Sequence, residues 1–198
     1  MMDVTQIRQF LGTELHLAAV FDAHSRVPLL LRVFDTVPGA ADMAPLLRHA
    51  GKAFGSPRYL LTDLGGEFTG ALFARAVAGL GIRHRFASAD NIKATARLER
   101  FWRSLKEMAG LRGLRLTLTV DDLERRIEIA LLHYLCFRPH EGLGGATPVE
   151  VFLGLEPAHL SASEPPRGRP GEGKGEAPVR LAFLDQSNGR LPILTQAG

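Results

Sequence analysis

Cys136 is the only cysteine among 198 residues, so no disulfide can form within the chain. It falls in the apolar stretch LLHYLCF (131–137), where it reads as buried helix filler in a reducing compartment rather than as a nucleophile. No run of about 18 apolar residues occurs, and the opening MMDVTQIRQF has no basic stretch leading into an apolar one. Neither a membrane span nor an export signal is therefore expected, and a cytoplasmic place of action is. Gly65-Gly66 is the one paired glycine near a carboxylate, but it lacks the pattern and following lysine of a phosphate-binding loop. A large excess of either charge is lacking too: the net is only +3, although a pI of about 9.4 leans toward a polyanionic partner.

Hydrophobic residues at 45 % and charged residues at 23 % suit a chain that buries one sizeable core. Its first third reads as a meander: a strand around Asp3–Ile7, a turn at Leu11-Gly12-Thr13, then ELHLAAVF and VPLLLRVF on either side of Asp22–Arg26. Leu46, Leu47, Ala50 and Phe54 recur at helical spacing until Gly55-Ser56-Pro57 stops the run. RYLLTD is a short strand ending at Asp63, and Phe68, Leu72, Phe73, Ala76 and Leu80 predict a single helix after it. IRHRF makes a further strand, and 93–109 a helix with Leu98, Phe101, Trp102, Leu105 and Met108 on its apolar side. Thr119 with Asp122, and Thr147-Pro148 with Glu150, have the chemistry of helix starts. Residues 1–160 are thus expected to form one core. Residues 161–178, rich in Ser, Pro, Gly and charge, read as a flexible linker, and 179–198 as a β-hairpin turning at Asn188-Gly189.

Charge is unevenly placed. Between Lys93 and Arg115 stand seven basic residues (Lys93, Arg97, Arg100, Arg103, Lys106, Arg112, Arg115) against Glu99 and Glu107, which marks a surface suited to DNA. Three carboxylates occupy positions where chemistry would want them: Asp3 in the first strand, Asp63 at the carboxyl end of a strand, and Glu99 on the basic helix. Carboxylates on two strands and a helix can hold a pair of Mg²⁺ or Mn²⁺ ions about 3.5 to 4 Å apart, the requirement of two-metal phosphoryl transfer. Arg103 and Lys106 share a helix face with Glu99, and Arg97 and Arg100 flank it; cations so placed grip phosphates without reading bases. Asp22, between Phe21 and Ala23, reads as a turn residue.

In order along the chain, Asp3-Val4-Thr5, FDAHSR, LTDLGGEF, GIRHRF, LERFWRSLKE and Arg138-Pro139-His140 with ATPVEVF resemble the motifs of the integrase core of insertion-sequence transposases and retroviral integrases. Residues 64–98, 35 in all, separate Asp63 from Glu99, the spacing of that family's acidic triad. The resemblance covers about residues 1–153. It implies an α/β, ribonuclease H-like fold with a mixed five-stranded sheet flanked by helices. Asp3, Asp63 and Glu99 are implied as catalytic metal ligands for two Mg²⁺ (or Mn²⁺) ions. Arg97, Arg100, Arg103, Lys106 and His84 become DNA contacts.

The activity implied is DNA cleavage and strand transfer in transposition (DNA integration, DNA recombination), by a homo-oligomer acting on transposon ends and target DNA in a bacterial nucleoid. Departures from the family pattern are Leu64 and Leu135, where asparagine is usual, and SADNIKATAR (88–97) in place of a proline-rich loop. Because no helix-turn-helix precedes Asp3, a truncated, catalytically silent remnant that binds DNA or a full-length transposase is the alternative.

Overall fold

The computed structural model describes residues 1–9, 14–87, 92–113, 117–157, 180–183 and 192–195. Its elements are β1 (Met2–Arg8), β2 (Glu14–Phe21), β3 (Pro28–Phe34), α1 (Ala40–Phe54), β4 (Tyr59–Thr62), α2 (Gly66–Thr69), α3 (Ala71–Gly79), β5 (Arg83–Phe86), α4 (Ile92–Met108), α5 (Val120–Cys136), α6 (Pro148–Leu153), β6 (Arg180–Phe183) and β7 (Pro192–Thr195). The turn at 11–13, residues 88–91, Arg115, the linker and Asn188-Gly189 lie outside the described residues, as does the side chain of Lys93.

β1, β2 and β3 form the expected antiparallel meander, with Asp3 opposite Ala19 and Ala19 opposite Leu31. β2 is buried along almost its whole length, which is why it reads as a continuous apolar run. Its alternate side chains serve two cores. Leu17, Ala19 and Phe21 meet Leu98, Phe101, Trp102 and Leu105 of α4 and Leu123, Ile127 and Leu131 of α5. Ala18 and Val20 meet Met43 and Leu47 of α1, Leu60 of β4, and Phe68 and Phe73 of α2 and α3. The meander is thus covered by helices on both faces. Phe101 sits among Phe21, Trp102 and Tyr134, with ring centroids 5.1, 5.0 and 5.3 Å away.

β4 and β5 pair in parallel, and β4 runs beside β1, but among the described residues the strands form separate ladders of three and two. The single five-stranded sheet of the sequence reading is therefore drawn as two pieces: β4 holds only four residues before the chain turns at Asp63. β6 and β7 pair antiparallel.

Two local details matter for the site. The helix expected over 68–80 breaks at Gly70, whose extended ψ of 149° separates α2 from α3. A Cβ there would lie 2.7 Å from the Cβ of Ala40, so glycine permits α1 to approach closely. The caps hold as expected: Thr119 accepts from the Asp122 amide and Thr147 from the Glu150 amide, each in a capping box.

Candidate active site

Asp3 lies on β1, on the side facing α4. Trp102 of α4 donates its indole N–H to Asp3 Oδ2 at 2.9 Å. One turn further along α4, Lys106 Nζ donates to Thr5 Oγ1 at 2.8 Å and to the Gln6 carbonyl at 2.9 Å. These bonds fasten the helix to the strand, because a ring N–H and an ammonium must find acceptors when drawn out of water. No carboxylate bridge holds Lys106, whose pKa falls through burial, opposed by the nearby charge of Asp3 and aided by that of Arg112.

Burial raises the Asp3 carboxyl to about 6. Hydrogen bonds from Trp102 and the Val4 backbone work against this rise, and the charges of Asp63 and Glu67 add to it. Asp63 follows β4 directly and is exposed; its Oδ1 accepts the Gly65 amide at 3.1 Å, a short turn that starts α2. The Glu67 carboxylate folds back over Gly65, where a Cβ would lie 2.5 Å from its Oε2. The carboxylates of Asp63 and Glu67, near the end of β4, thus lie within electrostatic reach of Asp3, and none of the three has an ion-pair partner within 4 Å among the described residues. Such a set repels itself, and a divalent cation relieves it. As drawn, however, no three His, Cys, Asp or Glu side chains among the described residues stand close enough to chelate an ion.

The structure thus brings Asp3 and Asp63 within electrostatic reach of each other. Glu99 is exposed on α4, three residues before Trp102 and so on the same side of the helix by spacing, but no contact joins it to the other two. Glu67 is the carboxylate that sequence reasoning passed over, although its signal stood in the quoted string LTDLGGEF. Leu64, between Asp63 and Gly65, is an apolar side chain left 69 % exposed.

The candidate DNA contacts divide. Arg100 and Arg103 are exposed, and exposed Arg97 donates to the Ala23 carbonyl at 3.3 Å. Lys106 is engaged by β1. His84 is half-buried, its Nε2 2.9 Å from Thr62 Oγ1 and its ring between Phe73 and Phe86, with its pKa lowered by burial. That is the setting of a packing residue tying β5 to β4.

No family model matches the chain, and no curated protein matches it. Solved structures do. A chain of the simian T-cell lymphotropic virus intasome in complex with PP2A regulatory subunit B56 gamma superposes with a TM-score of 0.58 at 16 % identity, over 96 % of this chain. This chain spans 66 % of that one, just under two thirds. The catalytic core domain of BIV integrase gives 0.53 at 19 % identity, over 82 % of this chain and 97 % of that one. The HTLV-2 integrase catalytic core domain in complex with magnesium, in a trimeric form, gives 0.57 at 17 % identity, over 76 % and 93 %. None of the helices is long and apolar enough to cross a membrane, among the described residues. At 16–19 % identity the likeness to those structures is one of fold, and the fold of this chain is the ribonuclease H-like fold of integrase catalytic cores.

Proposed function

We propose that residues 1–160 are the catalytic core of a DNA transposase of the integrase type, carrying out metal-dependent strand cleavage and strand transfer. In this reading 161–178 link the core to a C-terminal hairpin, 179–198, and strands 3-2-1-4-5 act as one sheet. The observation that carries it is the Asp3 carboxyl, buried against Trp102 beside Asp63 and Glu67 with no basic side chain bonded to it. A fold gains nothing from such an arrangement unless a cation completes it. Asp3, Asp63 and Glu99 would hold two Mg²⁺ or Mn²⁺ ions, with α4 bringing Glu99 toward Asp3. When bound, the ions supply Lewis acidity to the attacking and leaving oxygens of a phosphodiester.

The chain's own residues do the rest. Trp102 fixes one oxygen of Asp3 and leaves other lone pairs for a metal. The Asp63–Gly65 turn sets the second carboxylate at the end of β4. Exposed Arg103 takes a backbone phosphate beside the scissile bond, giving affinity that falls with salt. Water as the attacking group cuts a strand, and the freed 3′ hydroxyl attacks target DNA in line. Two ends must be joined, so a homo-oligomer at DNA in a bacterial nucleoid is the working form.

The test is Mn²⁺-dependent nicking of supercoiled plasmid by the full chain beside Asp63→Asn and Glu99→Gln in matched preparations. Loss of about 100-fold or more in both variants is expected, by analogy with removal of other groups that stabilise transition-state charge. Equal nicking by parent and variants sinks the metal-carboxylate reading. A parent that binds DNA but does not nick it supports the catalytically silent remnant instead.

A further inference from the structure

On a different face of α4, Arg97, Arg100 and Ser104 line a cleft of about 80 Å³ together with Arg26, Arg138 and His140, over a floor of Phe101 and Tyr134. Four guanidiniums around so small a space repel one another, and among the described residues none has a carboxylate within 4 Å. Arg97 makes only a long bond to the Ala23 carbonyl, at 3.3 Å, and Arg138 one to the weakly accepting Met108 Sδ, at 3.9 Å.

Arg26 is held in place at a cost. It is the one non-glycine residue with positive φ, 65°, among the described residues. The conformation is imposed by a closed turn: Asp22 Oδ2 accepts from the Ser25 amide and hydroxyl, the Arg26 amide donates to the Asp22 carbonyl, and Tyr134 donates its hydroxyl to the Arg26 carbonyl at 3.3 Å. The guanidinium then fills the space that a side chain at Gly142 would need. Next to it, His140 Nε2 is buried with no hydrogen-bond partner, although its ring bonds the Tyr134 backbone. Burial, then the charges of Arg26 and Arg138, push that imidazole down to about 4. A strained backbone, cations without carboxylate partners and a histidine with a buried, unpartnered ring nitrogen thus surround one cleft.

We propose that Arg26, Arg97, Arg100 and Arg138, with Ser104 and His140, form a binding site for a single phosphate group. The cleft has room for a few water-sized groups, which suits one tetrahedral oxyanion and excludes a base or nucleoside. Planar guanidiniums meet phosphate oxygens in bidentate pairs, and the Ser104 hydroxyl supplies a further donor. Neutral His140 needs a donor at Nε2, which the protonated oxygen of a free phosphate monoanion can supply and an ionised phosphodiester cannot. The phosphate belongs either to a DNA backbone or to a free phosphate compound. The DNA source rests on the function proposed above; the chemistry of the cleft does not.

The test uses the full chain with Arg26→Gly, which relieves the positive φ while removing the cation, and Gly142→Ala, which keeps every charge but displaces Arg26. Inorganic phosphate is titrated against chloride at matched ionic strength, following the melting temperature and the His140 ring resonances. A phosphate-specific rise of about 2–8 °C in the parent, lost in both variants, is expected. In parallel, affinity for a short duplex is measured across salt concentrations. A salt slope shallower by about 1 in both variants assigns the site to a DNA phosphate, and an unchanged slope assigns it to a free phosphate. If phosphate stabilises parent and variants equally, or moves neither readout in the parent, the proposal is overturned, whatever the plasmid assay shows.

Discussion

Where β1 and β4 run side by side, Asp3, Asp63 and Glu67 bring carboxylates together; around the cleft on another face of α4, Arg26, Arg97, Arg100 and Arg138 bring guanidiniums together. Elsewhere several charges find local partners. Asp122 accepts from Thr119 and pairs with Arg125, Asp22 accepts from Ser25, and Arg112 pairs with Glu107, mostly at exposed positions where such pairs add little. Folding alone gives no reason to leave seven charged groups in two unpaired sets of opposite sign, so both sets point outward to ligands. The difference between them lies in support. The acid set hangs on bonds from Trp102 and the Val4 backbone and on a short turn, whereas the cation set is locked by a strained turn, a glycine and a capped loop.

Phe101 offers the strongest way to break the comparison, since it floors the cationic cleft and adjoins Trp102, which holds Asp3. It is fully buried among three aromatic rings. Phe101→Ala is expected to cost about 3–5 kcal/mol, by lost burial and the cavity left behind, read from urea denaturation midpoints. A loss under 1 kcal/mol would mean that α4 is not packed between the two clusters.

A smaller effect of opposite sign sharpens it. Asp3→Asn removes a buried charge that has no bonded cation while leaving an oxygen to accept from Trp102. The metal-free variant should be more stable than the parent by about 1–3 kcal/mol, since a two-unit upward shift is a cost of that order. Mn²⁺ should raise the melting temperature of the parent and leave the variant unmoved. A destabilised variant would show that the Asp3 carboxylate serves the fold rather than a metal.

What was legible in the sequence was what is local. The meander followed from alternation and turn residues, α5 and α6 from the Thr119 and Thr147 boxes, and the end of β4 from the turn at Asp63. The break at Gly70 was not legible, because its cause is a contact with Ala40 thirty residues earlier. Lys106 was read as a DNA contact from its helix spacing and His84 from its motif; their bonds to β1 and to Thr62 join residues far apart in sequence and were not legible. Arg26 went unnoticed inside a turn motif, since its neighbours at 134, 138, 140 and 142 are over a hundred residues away in sequence.

The least disruptive test separates the two clusters. Residues 138–147 carry Arg138, His140 and Gly142, and the loop is closed by the His140 amide donating to the Ala146 carbonyl and by the start of α6. There Thr147 Oγ1 accepts from the Glu150 amide while the Glu150 carboxylate accepts from the Thr147 amide. Thr147→Ala removes the cap and should cost about 1 kcal/mol. Because α6 and this loop touch the cation set and no residue of the acid set, hydrogen exchange should quicken at the amides of 140–146 and stay unchanged at Gly65 and Phe68. Phosphate-induced stabilisation should weaken in the same variant, with Mn²⁺-induced stabilisation retained. If both responses fall together, the two clusters are one cooperative unit coupled through α4, and the independence argued from their separate supports is wrong.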